Sequence, residues 1–68
     1  MYKVWVLAYG EKTWATNGLE FETAEDAGSY GRDLLSRWFG AKEFAVLPVS
    51  PEYVGYLSTD TVEKAKVS

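Results

Sequence analysis

The run Trp14-Ala15-Thr16-Asn17-Gly18-Leu19-Glu20-Phe21-Glu22-Thr23-Ala24-Glu25-Asp26-Ala27 decides the architecture. It holds a turn signal, a short alternating segment and a helix start. Asn-Gly is the strongest short hairpin signal, because both positions tolerate positive φ. Asn17-Gly18 therefore closes a tight hairpin, or forms a bulge in the second strand of a hairpin that turns at Gly10-Glu11-Lys12. The second arrangement is preferred. Residues 13–16 and 19–22 then make one bent strand, anchored by Trp14 and Phe21 at its two ends. Thr23 offers its hydroxyl to the amide three residues on, and Glu25 and Asp26 favour the positive end of a helix dipole.

Beyond Thr23 the pattern is that of an amphipathic helix. Ala24, Ala27, Gly28, Gly31, Leu34, Leu35 and Trp38 fall on one stripe, with Glu25, Asp26, Ser29, Arg32, Asp33, Ser36 and Arg37 opposite. Asp33 and Arg37 form a favourable i,i+4 pair. Gly40 is expected to cap the C-terminus. The stripe is small in its first half and large in its second. A helical glycine costs about 1 kcal/mol relative to alanine. Gly28 and Gly31 on the buried face therefore predict close approach to large side chains, with Trp or Tyr rings of the sheet filling the space, or else a groove for a partner.

On the N-terminal side, residues 2–9 (Tyr-Lys-Val-Trp-Val-Leu-Ala-Tyr) read as a strand. Tyr2, Val4, Val6 and Ala8 share one face, and Lys3, Trp5, Leu7 and Tyr9 the other. Both faces are largely apolar. That predicts a central strand covered on both sides, or one with a covered side and a binding side. On the C-terminal side, residues 43–49 form another strand, which ends or lies at an edge near Pro48 for want of an amide donor. Residues 53–57 can pair back as a short fourth strand. Asp60-Thr61-Val62-Glu63 has the form of a capping box, so residues 62–67 make a last helical turn or a tail. The fold class is α+β: a small, mainly antiparallel sheet in the order ββαβ with one helix packed on it. Residues 1–58 form the domain and residues 59–68 a tail or short helix.

The totals narrow the chemistry. Sixty-eight residues make one domain, which buries only about 60% of the surface its unfolded chain exposes. There is no cysteine and no histidine, so only oxygen ligands could hold a metal, and no cofactor is expected. Stability must come from packing. The 16% aromatic content suits that need, because each ring buries about 150–250 Å². The net charge of −3, from seven basic and ten acidic residues, weighs against a nucleic-acid partner, since phosphate binding is driven by clustered Lys and Arg. No apolar run approaches the roughly 18–20 residues of a membrane span, and residues 2–9 are too short for a signal-peptide core. The default location is the cytoplasm.

Trp14-Ala-Thr-Asn-Gly-Leu-x-Phe-x-Thr-x-Glu-x-Ala, followed by Tyr30, Asp33-Leu34 and Arg37-Trp38, resembles a group of short uncharacterised proteins encoded by bacteriophages and prophages. They share the hairpin segment W-A-T-N-G-L-x-F, a helix ending in Arg-Trp and a following strand, here residues 44–49. This chain has Gly28 and Gly31 where the group more often has alanine or another helix former, and its part after Pro51 has no counterpart. The group has no activity to carry over, so no functional residue is transferred. The resemblance implies an origin: a small phage accessory protein in an infected bacterium. Such proteins often bind, and some inhibit, a host protein, components of immune systems included.

Candidate chemistry is sparse. Glu20, Glu22, Glu25 and Asp26 form the densest acidic run; it reads as a solvated edge, as a contact surface for a basic partner, or, if the carboxylates converge and are buried, as a metal or acid/base site. Ser29, Ser36, Ser50 and Ser58 have no histidine base, and the glycines form no phosphate loop. The chain reads as a non-enzymatic protein. If the helix covers Val4 and Val6, then Trp5, Leu7 and Tyr9 lie on the other face, joined by Tyr53 or Tyr56. That face is a homodimer interface, a site for another protein, or a stacking platform for single-stranded nucleic acid. Alternatively, the segment from Tyr53 onward folds over it and buries it. With so few basic residues nearby, protein binding is preferred, and self-assembly into a structural protein is a further alternative.

Overall fold

The computed structural model describes residues 1–66. Four strands form one curled antiparallel sheet: β1 (Tyr2–Ala8), β2 (Thr13–Phe21), β3 (Ala41–Pro48) and β4 (Leu57–Ser58), in the spatial order β3-β1-β2-β4. Helix α1 (Ala24–Arg37) packs on one face and helix α2 (Thr59–Ala65) on the other. The central strand is β1, as its two apolar faces predict.

β1 and β2 turn through residues 9–12, where Gly10 adopts φ +81°. The Asn-Gly pair is the bulge. Lys3 pairs with Glu20 and Trp5 with Thr16, so Val4 alone faces Asn17, Gly18 and Leu19. Gly18 takes φ +85°, where a Cβ would be strained. The Asn17 carboxamide accepts from the Leu19 amide at 3.0 Å, and its Nδ2 donates to the Tyr30 hydroxyl at 2.7 Å. Thr16 Oγ1 donates to the Val4 carbonyl at 2.8 Å. Side chains thus satisfy backbone groups that the bulge removes from the ladder. Trp14 and Phe21 do anchor the ends of the bent strand, but on opposite faces. Trp14 lies under α2, while Phe21 packs against Tyr30 of α1, with ring centroids 5.2 Å apart.

Thr23 caps α1 by accepting from the Asp26 amide at 3.1 Å. The helix ends differently from the expectation. Trp38 is the C-cap, in extended conformation, and Gly40 has no left-handed φ. Gly40 is small for another reason: a Cβ there would lie 2.8 Å from Trp38 Nε1. The indole folds back over the turn.

Gly31 confirms the close approach, although the ring it meets is Phe44, neither Trp nor Tyr. A methyl at Gly31 would overlap the Phe44 ring as far back as Cγ. Cγ is one bond from Cβ, so turning the ring does not clear the space. A Cβ at Gly28, by contrast, meets only Arg32 Nη1 at 3.5 Å. Gly31→Ala is therefore expected to lower stability: overpacking costs about 1–3 kcal/mol, against a helix-propensity gain of about 1 kcal/mol. Gly28→Ala keeps that gain. Urea denaturation of both variants checks this; a stabilised Gly31→Ala would contradict the Phe44 contact.

Two apolar clusters share β1. Val4, Val6, Ala27 and Ala41 fill the α1 side, with Tyr2, Phe21, Tyr30, Leu34, Leu35, Phe44 and Val46 around them. Trp5, Leu7, Trp14, Ala45, Leu47, Leu57 and Val62 fill the α2 side. β4 is shorter than residues 53–57 and pairs with Thr13 and Trp14. The cap of α2 is Ser58, whose hydroxyl accepts from the Thr61 amide at 3.2 Å, two residues before the expected box. Asp60 instead sits in the first turn, 3.3 Å from Lys64. Val62 is fully buried against the tryptophans, so α2 belongs to the same core as residues 1–58. Val67, the end of the expected last turn, lies outside the described residues.

Candidate functional site

The face assigned to a partner is closed. Trp5 is 1% exposed and Leu7 is also buried, because β4 and α2 cover them. The covering segment from Tyr53 onward supplies Tyr53 at the cluster edge, then Leu57 and Val62 within it. Trp14 Nε1 donates to Thr59 Oγ1 at 3.1 Å, which ties α2 down across the sheet. Trp5, Leu7 and Tyr53 are therefore core or core-edge residues and do not form a contact surface. Tyr9 and Tyr56 are exposed, but elsewhere.

The open apolar surface is on the α1 side. α1 lies chiefly across β3 and β1, and reaches β2 least. A groove of about 530 Å³ remains between the helix and β2. Its helical wall is Tyr30 and Leu34, four apart and so on one face of α1, continued by the C-cap Trp38. Its floor is Val4, Val6 and Ala8 of β1 with Ala15 of β2. The short alanine side chains give it depth. One end is closed by Thr16 and Asn17 of the bulge, where the Asn17–Tyr30 hydrogen bond bridges strand to helix. At the other end stand Glu11, Thr13 and Tyr56. The volume is in the usual range of sites for small molecules or buried side chains, about 300–1,000 Å³.

The aromatic residues concentrate at that second end. Trp38 is 46% exposed, Tyr56 74% and Phe39 99%. Tyr9 joins them, since its amide donates to the Gly40 carbonyl at 2.8 Å, beside the Phe39-Gly40 turn. Among the described residues, Glu11 is the only charged one lining this groove. The surface can receive an apolar side chain between Leu34, Trp38 and Ala15, and can hold a cationic neighbour at Glu11 against the Trp38 and Tyr56 rings.

The acidic run does not converge. Glu20, Glu22, Glu25 and Asp26 are all exposed, Glu20 across from Lys3 and Glu25 and Asp26 in the first turn of α1. Among the described residues, no group of three or more Asp or Glu is placed to hold a metal ion, and no helix is long and apolar enough to cross a membrane. Sequence reasoning missed the groove because Trp38 sits on the apolar stripe of α1, and nothing in a helical wheel distinguishes the part of a stripe over β3 from the part that overhangs β2. Phe39, next to the expected cap, was the available signal: a large apolar residue off the stripe. No family model, no curated protein and no solved structure matches this chain.

Proposed function

We propose that this chain is a small non-enzymatic accessory protein of phage type that acts by binding another protein, host-encoded or phage-encoded, in the bacterial cytoplasm. The observation that carries the reading is the groove between α1 and β2, lined by the uncovered Trp38 and Tyr56, with the fully exposed Phe39 next to Trp38 in the chain. Apolar surface concentrated in one place, rimmed by polar groups, marks interaction sites. Burying a ring such as Phe39 in a complex stabilises it by roughly 1.5–3 kcal/mol, and aromatic anchors of this kind dominate interface energetics. The partner supplies an apolar side chain for the groove and a basic one for Glu11, in keeping with the chain's net charge of −3.

The test is affinity capture from a bacterial host lysate, read by mass spectrometry, with wild type beside a Phe39→Ser/Tyr56→Ser variant. Both residues are highly exposed, so the thermal transition is expected to stay in place. Capture of the wild-type partner is expected to fall at least roughly tenfold, given about 1.4 kcal/mol or more lost across the two rings. Equal capture by the variant would remove the groove from the interface. No saturable capture by wild type would end the protein-binding reading.

A further inference from the structure

The other flank of α1 carries a second, independent surface. β3 is an edge strand. Val49 donates to the Met1 carbonyl at 2.9 Å, which places Met1 opposite Val49 in a hydrogen-bonded pair. Such pairs alternate with non-bonded ones along an antiparallel ladder. Leu47 and Ala45 therefore bond inward to β1, while Val46 and Phe44 aim N–H and C=O outward. Pro48 falls on the outward set, where its missing N–H breaks no internal bond. Above this edge runs a shallow groove lined by Ala24, Glu25, Gly28 and Arg32 of α1, with Phe44, Ala45 and Val46 along its floor; Lys66, paired with Glu63 at 2.9 Å, lines it as well. Gly28 makes no contact inside the molecule that requires a glycine.

The geometry points to a second copy of this chain as the occupant, paired β3 to β3 in antiparallel fashion about a two-fold axis at Ala45. In that register Phe44 of each copy pairs with Val46 of the other, and all the outward donors and acceptors of those residues are used. Ala45 meets Ala45 at the close, non-bonded position. The sheet continues through the dimer, and neighbouring strands sit about 4.8 Å apart. Because α1 lies across β3 and β1, the two α1 axes come to roughly 8–10 Å, the ordinary packing distance of helices. Contact at that distance needs small residues on the facing flank: Ala24 is half-buried there, and Gly28 is buried under the Arg32 guanidinium, which has to swing out for the helices to meet. α1 runs antiparallel to β3, with Gly31 over Phe44, so Gly28 lies near the level of Ala45 and hence near the axis. The same axis sets Glu25 of one copy against Arg32 of the other, twice. An unrelated edge strand would match the backbone groups but would not supply this reciprocal charge pattern.

Sedimentation over a micromolar to millimolar series tests the pairing, together with hydrogen exchange of the Phe44 and Val46 amides. Wild type is expected to dimerise, with protection of those two amides rising with concentration. Arg32→Glu is expected to weaken dimerisation roughly tenfold, since it turns two symmetry-related attractions into repulsions. Glu25→Arg/Arg32→Glu is expected to restore it. Val46→Pro removes an outward donor without breaking a bond to β1 and is expected to abolish dimers while the monomer fold persists by circular dichroism. A monomer at millimolar concentration would overturn the inference. So would a dimer indifferent to Arg32→Glu and Val46→Pro, or one that Phe39→Ser/Tyr56→Ser disperses.

Discussion

Ending the chain at Ser58 is expected to leave a polypeptide with no cooperative unfolding transition. The deletion removes Val62, which is fully buried, and the Thr59 hydroxyl that accepts from Trp14. It also bares Trp5, Trp14 and Leu47, which rest on α2 or beside it. Burial of each large apolar side chain stabilises by roughly 1.5–3 kcal/mol. A domain of 68 residues has a total stability of only roughly 3–10 kcal/mol, at about 0.05–0.15 kcal/mol per residue. Uncovering three such side chains and losing a fourth reaches or exceeds that sum. Thermal melts by circular dichroism, with binding of a hydrophobic dye at low temperature, provide the check. A truncated chain with a sharp native-like transition would make α2 a dispensable cap.

Trp5→Ser is expected to unfold the protein as well. The ring is 1% exposed and lies between β1 and the covering segment. Replacing a buried aromatic residue with a small one costs about 3–5 kcal/mol, and the serine hydroxyl would have to find a hydrogen-bond partner in an apolar cluster. Tyr9→Ser provides the comparison. Tyr9 shares the odd-numbered pattern of Trp5 and Leu7 but lies beyond the strand, 65% exposed. Its replacement is expected to shift stability by less than about 0.5 kcal/mol, as surface changes usually do. If Trp5→Ser melted like wild type, the closure of this face by α2 would be wrong.

The difference between these two residues shows what the amino-acid order could convey. Strand β1 was legible because β-branched and aromatic residues alternate there without a break. The Asn17-Gly18 bulge was legible because its backbone demands glycine, and Thr23 because a hydroxyl before an acidic first turn has few other uses. The cover over Trp5 was only an alternative, for a physical reason. α2 has seven residues and buries one, Val62, so it has no periodic apolar stripe to announce it. β4 is two residues long and has no alternation at all. The groove was hidden for the opposite reason. Its helical wall is part of a strong stripe, and which part overhangs the sheet depends on where α1 comes to rest on β3 and β1. That placement follows from the fit of Phe44 into the notch at Gly31, a contact between residues that no local pattern connects.

The hydrogen bond from Trp14 to Thr59 joins residues 45 positions apart. On the ribosome, the indole emerges long before the hydroxyl that will accept its hydrogen bond. For that interval the nascent polypeptide carries two large indoles with no lid, while the α1 layer already has all its parts. Contacts of such separation are slow to close, since most of the chain must be ordered first. Since the chain ending at Ser58 is expected to lack a stable fold, cooperative assembly has to await α2, however early the parts of the α1 layer emerge.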